Sequence, residues 1–222
     1  VDLSATNKVS AAFWLYESAF NDTDDLAIEA TTNTNNNTTG FFVDPNSGSP
    51  CAAGSFSVAL KGDVGFSLRC YARPSAAAWH HYVAVLDKSL STNEVDLYID
   101  GALQTATSQP YNSNNTNMFG NEPIYLMSRA GTSLFTDGKL DDVRVYNRAL
   151  SATEVERLYK IGATSKIAKT LQGRDSLTSG LVGHWTFDGP DMLTNVADTS
   201  GQGNNGSLIH AGSGTTTVPG KL

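Results

Sequence analysis

The two cysteines, Cys51 and Cys70, are the residues whose spacing points most directly to a reaction, the formation of a disulfide bond. Between them lie two alternating apolar runs, residues 55–60 and 64–69, around a turn at residues 61–63. This pattern predicts a β-hairpin with the cysteines nearly equidistant from its turn, so that antiparallel pairing brings their Cα atoms within bridging distance. A Cys51–Cys70 disulfide favours an exported protein; the alternative is two buried free thiols.

The remaining reactive side chains do not form a catalytic or metal-binding motif in the sequence. His80 and His81 are adjacent, so on a strand they face opposite sides of the sheet and cannot hold one metal together. His184 and His210 lie in separate contexts, and no nucleophile elbow or phosphate-binding loop is present. The chain has 15 Lys and Arg against 22 Asp and Glu without a basic run, which argues against nucleic acid as a partner. No apolar stretch of about 18 residues exists, so we predict no membrane span.

Short alternating strands separated by turns recur along the chain, the pattern of an antiparallel β-sandwich. They are predicted near residues 11–16, 79–86, 94–100, 124–127 and 140–146. The tryptophans Trp14, Trp79 and Trp185 lie in apolar strand segments and are predicted to be core residues.

One helix is predicted, from residue 151 to about residue 160, with its end near Gly162. Ser151 and Glu154 form a capping box at its start, and Leu150 and Val155 form the hydrophobic staple around it.

Three segments carry a resemblance to a known family: GKLDDVRVYNRALS at 138–151, WHHYVA at 79–84 and VDLYIDG at 95–101. Together they resemble the second half of a laminin-G-like (concanavalin A-like) jelly roll. The resemblance implies an all-β, concanavalin A-like antiparallel β-sandwich with one short helix near residues 151–160. GLVGHWTFDG at 180–189 and DTSGQGNNGSL at 198–208 resemble the opening of such a domain, so the repeat is cut in permuted order.

This order implies three parts: residues 1–160 as the main sandwich, 161–180 as a connector, and 181–222 as the opening strands of a repeat. The last part either completes its own sandwich, since a connector of about 20 residues can reach roughly 60 Å, or donates strands to a neighbouring copy. We favour self-completion for the isolated chain and tandem repetition in the parent protein.

In related domains a calcium ion often lies between the glycine-rich loop and the acidic strand before the helix. Ca²⁺ prefers carboxylate and carbonyl oxygens. Leu140 and Val143 break the alternation of the acidic strand, which predicts a bulge that re-aims a carboxylate. The alternative is a plain turn, with the aspartates solvated or paired with Arg144. Carried over by position, the resemblance implies a structural calcium site at Asp198, Gly203, Asn204, Asn205, Asp141 and Asp142.

Residues 94–100 also resemble the Glu-x-Asp-x-x-Glu signature of laminarinase-type glycosidases on the same fold. Those enzymes need two carboxylates about 5–5.5 Å apart. Here Tyr98 and Ile99 stand where the last glutamate belongs, and Asp100 belongs to a hairpin turn. We therefore predict that the chain is not an enzyme.

One loop has the amides and aromatic rings that suit sugars: we predict exposed glycan contacts at Tyr111, Asn112, Asn114, Asn115 and Phe119. Three functions follow in order. The first is a non-enzymatic extracellular structural or adhesion module from a tandem-repeat or filament-forming surface protein. Its partners are neighbouring copies, through strand complementation or tandem linkage, together with glycans or surface proteins. The second is a carbohydrate-binding lectin-like module, and the third is a laminarinase-type hydrolase. The predicted location is extracellular or at the cell surface.

Overall fold

The computed structural model describes residues 1–18, 25–163, 176–188, 195–209 and 220–221. The described residues contain a helix, α1 (Ala152–Ala163), and two 3₁₀ turns at Thr34–Asn36 and Ser176–Thr178. The strands, in chain order, are β1 (Lys8–Glu17), β2 (Ile28–Ala30), β3 (Phe41–Ser47), β4 (Ser55–Lys61), β5 (Phe66–Tyr71), β6 (Trp79–Asp87), β7 (Val95–Ile99), β8 (Ala102–Leu103), β9 (Ser108–Asn112), β10 (Ile124–Leu126), β11 (Gly138–Tyr146), β12 (Leu181–Trp185), β13 (Asn195–Val196) and β14 (Gly206–Ser207).

Twelve of these strands form two antiparallel sheets packed face to face, and β13 and β14 form a separate antiparallel pair, which confirms the predicted concanavalin A-like sandwich. Sheet 1 has the order β12-β11-β1-β6-β7-β8, and sheet 2 has the order β10-β2-β3-β4-β5-β9. Alternate residues of each strand point into the space between the sheets because side chains alternate along a strand. The stack of Phe13, Tyr82 and Phe56, with centroid separations of 5.7 and 4.7 Å, joins the two sheets across this core.

Helix α1 covers the outer face of sheet 1. The predicted capping box is confirmed, since the Ser151 backbone N–H donates to the Glu154 carboxylate at 2.9 Å and the Glu154 N–H donates to Ser151 Oγ at 3.4 Å. Leu150 and Val155 lie together in a buried cluster with residues of sheet 1, which confirms the staple. Within the described ranges, no helix is long and apolar enough to cross a membrane.

The predicted hairpin and disulfide are also confirmed. β4 and β5 pair antiparallel, and Cys51 is bonded to Cys70 with a Cα–Cα distance of 5.7 Å. Both cysteines are buried on the outer face of sheet 2, in a cluster with Phe42, Ala59 and Leu68. The bond therefore ties the segment before β4 to strand β5.

The described part of the C-terminal segment adds an edge strand to sheet 1 of the same chain. β12 pairs antiparallel with β11, with Arg144 opposite His184. Arg148 holds the approach to β12, because it makes two hydrogen bonds to the Glu154 carboxylate and donates from Nε to the Ser179 carbonyl at 2.7 Å. The division at residues 1–160, 161–180 and 181–222 stays a prediction, and its residues 19–24, 164–175, 189–194, 210–219 and 222 lie outside the described residues.

Candidate functional site

An exposed aromatic pair lies on the outer face of sheet 2, at edge strand β9. Tyr111 is opposite Leu68 of β5, and its side chain is 48% exposed. Its ring centroid lies 6.2 Å from that of Phe66, over which the Lys61 Nζ lies at 5.1 Å. Asn114, two residues after β9, is also exposed, whereas Asn112, opposite Ser67, points to the other face of the sheet. We call the set Lys61, Phe66, Tyr111 and Asn114 the Tyr111 patch.

Two of the five residues predicted to contact a glycan are buried. Asn115 is 0% exposed and Phe119 is 2% exposed, so the prediction that both are exposed loop residues is wrong. Phe119 belongs to the core and packs edge-on against Phe41 at 6.1 Å. The Asn-rich composition suggested an open loop, but tertiary hydrogen bonds turn part of it inward.

Asn115 instead fixes the loop that follows β9. Its Oδ1 accepts hydrogen bonds from the backbone N–H groups of Val64 and Gly65, at 3.0 and 3.1 Å, in the β4–β5 turn. Gly62 is needed in that turn, because a Cβ there would lie 2.3 Å from Asn115 Cγ. The loop and the hairpin turn are therefore locked together beside the Tyr111 patch, which orders it before any ligand arrives.

The buried Glu94 carboxylate holds Asn115 in place. It is 1% exposed, and its carboxylate accepts from the Asn115 N–H at 2.5 Å, from Asn115 Nδ2 at 2.8 Å and from the Ser67 hydroxyl. Lys88 lies nearby, with its Nζ 4.2 Å from the centroid of Phe119. Burial lowers the pKa of Lys88 to about 8, although the Glu94 and Asp63 carboxylates oppose the shift. Glu94 is thus a buried acceptor in a structural network.

The two aspartates that follow Glu94 in the acidic run are also engaged. Asp96 forms an ion pair with Arg69 at 3.2 Å. Asp100 lies in the turn after β7, where its carboxylate accepts from the His81 backbone N–H at 2.9 Å and contacts His80 Nδ1 at 2.7 Å. Asp100 has a φ of +51°, the left-handed conformation expected of a tight hairpin turn. All three carboxylates of this run are therefore engaged by neighbouring groups of the protein.

The predicted bulge in β11 is confirmed. The register between β1 and β11 shifts by one residue between Ala12 and Trp14, and Asp142 has a φ of +47°. The bulge aims the Asp142 carboxylate at two side chains: Arg144 donates from Nε and a terminal nitrogen at 3.1 Å each, and His184 Nε2 lies 2.7 Å from Oδ1. Burial raises the pKa of Asp142, but the His184 hydrogen bond and the Arg144 charge outweigh it and leave the pKa below its usual value.

Asp198 organises the glycine-rich loop and connects it to β12. Its carboxylate accepts four hydrogen bonds, from the backbone N–H groups of His184, Ser200 and Asn204 and from the Ser200 hydroxyl. The amide side chain of Asn205 accepts from the Asp198 N–H at 2.9 Å. Gly203 has a φ of +77° with open space around it. The predicted Asp198 loop and Asp142 bulge thus come together through His184.

These residues do not fit a calcium ion in this arrangement. The Asp198 carboxylate is filled by hydrogen-bond donors, and Asp142 is neutralised by Arg144 and His184. Asp141 accepts from the backbone N–H groups of Asp142, at 2.8 Å, and Lys221, at 2.6 Å. In the described parts of the chain, no three His, Cys, Asp or Glu side chains are grouped as a metal site. Calcium binding stays a prediction that a titration must test.

One tryptophan is less buried than the sequence predicts. Trp14 and Trp185 are buried, at 2% and 5% exposed, as predicted, but Trp79 is only half-buried. Trp79 packs against Tyr16 at 5.8 Å, and Lys139 Nζ lies 5.2 Å from the Tyr16 ring on the outer face of sheet 1. Its position at the first residue of β6 indicates this exposure, because the ends of a strand lie farther from the packed centre of the sheet.

Comparisons with known proteins agree with this architecture. The family model of the concanavalin A-like lectin/glucanases superfamily (Laminin_G_3) matches residues 1–156, which confirms the predicted resemblance. A candidate carbohydrate binding protein from Bacteroides ovatus ATCC 8483 aligns with a TM-score of 0.63 and 15% identity, over 90% of this chain and 51% of its own. A heptameric SAP-like pentraxin from Limulus polyphemus aligns with a TM-score of 0.50 and 12% identity, over 71% of this chain and 72% of its own.

The chain therefore spans about half the length of the Bacteroides protein. At these identities the likeness to solved structures shows the fold alone. No curated protein matches the chain.

Proposed function

We propose that this chain, which belongs to the concanavalin A-like lectin/glucanases superfamily, is a non-catalytic carbohydrate-binding module that takes a sugar on the Tyr111 patch. The observation that carries the proposal is the exposure of Tyr111, which is 48% accessible. Its ring pairs with that of Phe66, and the exposed Asn114 follows on the next loop. Membership in a superfamily of lectins and glucanases is compatible with binding or with hydrolysis, so the site has to decide between them.

The chemistry of the patch suits a sugar. An aromatic face offers apolar area to the C–H face of a pyranose ring, and Asn side chains both donate and accept hydrogen bonds to hydroxyls. Phe66 and Tyr111 lie on paired strands, and the Asn115 lock holds the neighbouring loop. Sugar binding would therefore lose little conformational entropy of the protein.

The buried carboxylates support the non-catalytic part of the proposal. A retaining glycosidase needs two carboxyl groups projecting toward substrate about 5–5.5 Å apart. Glu94 is enclosed by Ser67 and Asn115, and Asp100 is held in a turn by His80 and His81. Either carboxylate would have to break these hydrogen bonds before it could reach a glycosidic oxygen.

A glycan array tests the proposal. We expect the wild-type chain to bind a reproducible subset of glycans and Tyr111→Ala to lose that binding. Tyr16→Ala, which removes an aromatic ring from the opposite sheet, is the matched control and is expected to retain it. Binding that is indifferent to Tyr111, or absent from the wild-type chain, would contradict the proposal.

We further propose that the module works outside the cell or at the cell surface. The Cys51–Cys70 bond supports this, because disulfides persist in oxidising compartments. Mass spectrometry of native material under non-reducing conditions, with alkylation, is the test. Two alkylatable thiols in native protein would remove this support.

A second candidate function is an adhesive or filament-forming subunit that assembles through exchanged strands. The observation that favours it is β12, a five-residue edge strand that reaches sheet 1 from beyond helix α1 and forms four residue pairs with β11. A neighbouring copy could supply the same strand. Size-exclusion chromatography across a dilution series tests this: oligomers that survive dilution support strand exchange, and a monomer at every concentration contradicts it.

A further inference from the structure

The C-terminal residues Gly220 and Lys221 lie on the outer face of sheet 1, against the acidic end of β11. The Lys221 backbone N–H donates to Asp141 Oδ2 at 2.6 Å, and the Lys221 Nζ lies 5.0 Å from the centroid of the Trp14 indole. Trp14 and Asp141 are opposite each other in the β1–β11 register. Lys221 is therefore held at two points, by its main chain and by its ammonium group, on two adjacent strands.

The residue before Lys221 has to be small for this contact to form. A Cβ at Gly220 would lie 2.5 Å from Asp141 Oδ2. The Asp141 carboxylate is 99% buried at the residue level and already accepts the Asp142 N–H, so it cannot swing aside cheaply. The contact of Lys221 with Asp141 therefore requires a glycine at position 220.

The Trp14 ring is held in place for this contact. It packs against Tyr159 of α1 at 5.8 Å and against His81 at 5.1 Å, and Gly162 lies so close that a Cβ there would be 2.3 Å from the indole Nε1. Tryptophan is the side chain that attracts a cation over its face most strongly. The fixed indole therefore offers its face to the ammonium group, and the Asp141 carboxylate beside it accepts the main-chain N–H of the same lysine.

We propose that Trp14 and Asp141, with Tyr159 positioning the indole, form a site that recognises a glycine–lysine segment, Trp14 through the lysine ammonium group and Asp141 through the lysine main-chain N–H, and that its occupant is this chain's own Gly220–Lys221. The other described end of this segment lies near sheet 2: a Cβ at Gly131 would be 3.1 Å from Ile209 Cδ1. Arg129, in the same loop as Gly131, is bonded to Glu29 of β2. Ile209 therefore lies beside the loop after β10, whereas Gly220 and Lys221 lie on the outer face of sheet 1.

The three tryptophan indole N–H signals in a ¹⁵N–¹H NMR spectrum of the full chain test the site. Trp79 and Trp185 serve as internal references, and Trp14→Phe assigns the third signal. Lys221→Met, which keeps the aliphatic stem and removes the charge, is expected to shift the Trp14 signal alone. Lys160→Met, at an exposed helical lysine, is the matched control and is expected to shift none.

Gly220→Val is expected to displace the segment and free the site, whereas Gly206→Ala, where a Cβ meets only ordinary contacts at 3.6 Å, is expected to leave it filled. Acetyl-Gly-Lys-amide added to Gly220→Val should restore the Trp14 signal. Its norleucine analogue should bind about fivefold more weakly, the loss expected for one cation–π contact.

Three results would overturn the proposal. One is a Trp14 signal that Lys221→Met leaves unchanged. Another is equal binding of the lysine and norleucine peptides. The third is a Trp14 signal that depends on protein concentration in the wild-type chain, because it would assign the occupant to a second copy.

Discussion

The outer face of sheet 1 is covered by helix α1, whereas the outer face of sheet 2 ends in an uncovered aromatic pair at strand β9. On sheet 1, Val155 and Leu158 of the helix seal Val83 and Tyr146 from solvent. On sheet 2, the disulfide and its neighbours are buried, but the Tyr111 ring beside them is nearly half exposed. A covered face stabilises the fold, and an exposed ring next to it is available to a partner.

The charged groups differ in the same way. On the sheet 1 side, Asp142 is paired with Arg144 and His184, so its charge is satisfied inside the molecule. On the sheet 2 side, the amide of Asn114 is exposed. The acidic residues that the sequence marked for chemistry are therefore engaged within the protein, and the proposed binding surface uses less conspicuous residues.

The largest effect is expected where the binding surface rests on the core. Asn115→Ala removes one donor to the buried Glu94 carboxylate and the acceptor for Val64 and Gly65, so we expect a loss of about 3 kcal/mol in the free energy of unfolding. Asn114→Ala, at the exposed neighbour, is the control and should stay within about 0.5 kcal/mol of wild type. Urea denaturation measures both. Equal stability of the two variants would show that the lock is not needed.

The covered face should respond to acid. Burial lowers the pKa of His81 to about 4; the Asp142 and Asp100 carboxylates oppose this and the Arg144 guanidinium adds to it. Because the unfolded chain binds this proton with a pKa of 6.5, His81 contributes stability above pH 6.5 that is lost as the pH falls toward 4. The full loss is roughly 3 kcal/mol, at 1.4 kcal/mol per pKa unit.

The difference between wild type and His81→Gln isolates this contribution, because Glu17 acts in the opposite direction. Burial raises the pKa of Glu17 to about 7, so its contribution falls as the pH rises from 4.5 to 7. Denaturation midpoints across this range should show a smaller acid-side loss in His81→Gln. Parallel curves for the two proteins would contradict the assignment.

Reduction of the disulfide should weaken the sheet 2 side. The bond closes a loop with a sequence separation of 19, for which chain entropy predicts a loss of about 3 kcal/mol. Denaturation with and without reductant measures it, with the double Cys→Ala variant as the control that reductant must not affect. A wild-type midpoint that reductant leaves in place would contradict the estimate.

Calcium is expected to have the smallest effect. Because the Asp198 carboxylate accepts four hydrogen bonds and Asp142 is neutralised, we expect the same melting temperature in calcium and in chelator. A ligand that binds only the folded form would raise it. A rise with calcium and not with magnesium would show that the ion displaces these donors, and the site predicted from the sequence would then stand.

The sequence contained most of the fold but only part of the binding surface. The hairpin between Cys51 and Cys70, the Ser151 cap and the Asp142 bulge follow from local patterns, and all three are present. The burial of Asn115 and Phe119 depends on Glu94 and Phe41, which are distant in the chain and become neighbours only after folding. The half-exposure of Trp79 likewise depends on where β6 begins in the finished sheet.

The most direct test of the central claim is a calorimetric titration of the best array glycan into wild type, Tyr111→Ala and Tyr16→Ala. We expect Tyr111→Ala to weaken binding at least roughly tenfold in Kd, the effect of losing about 1.4 kcal/mol at a central aromatic contact, and Tyr16→Ala to leave the Kd unchanged. Equal affinity in wild type and Tyr111→Ala would contradict a sugar site on the outer face of sheet 2.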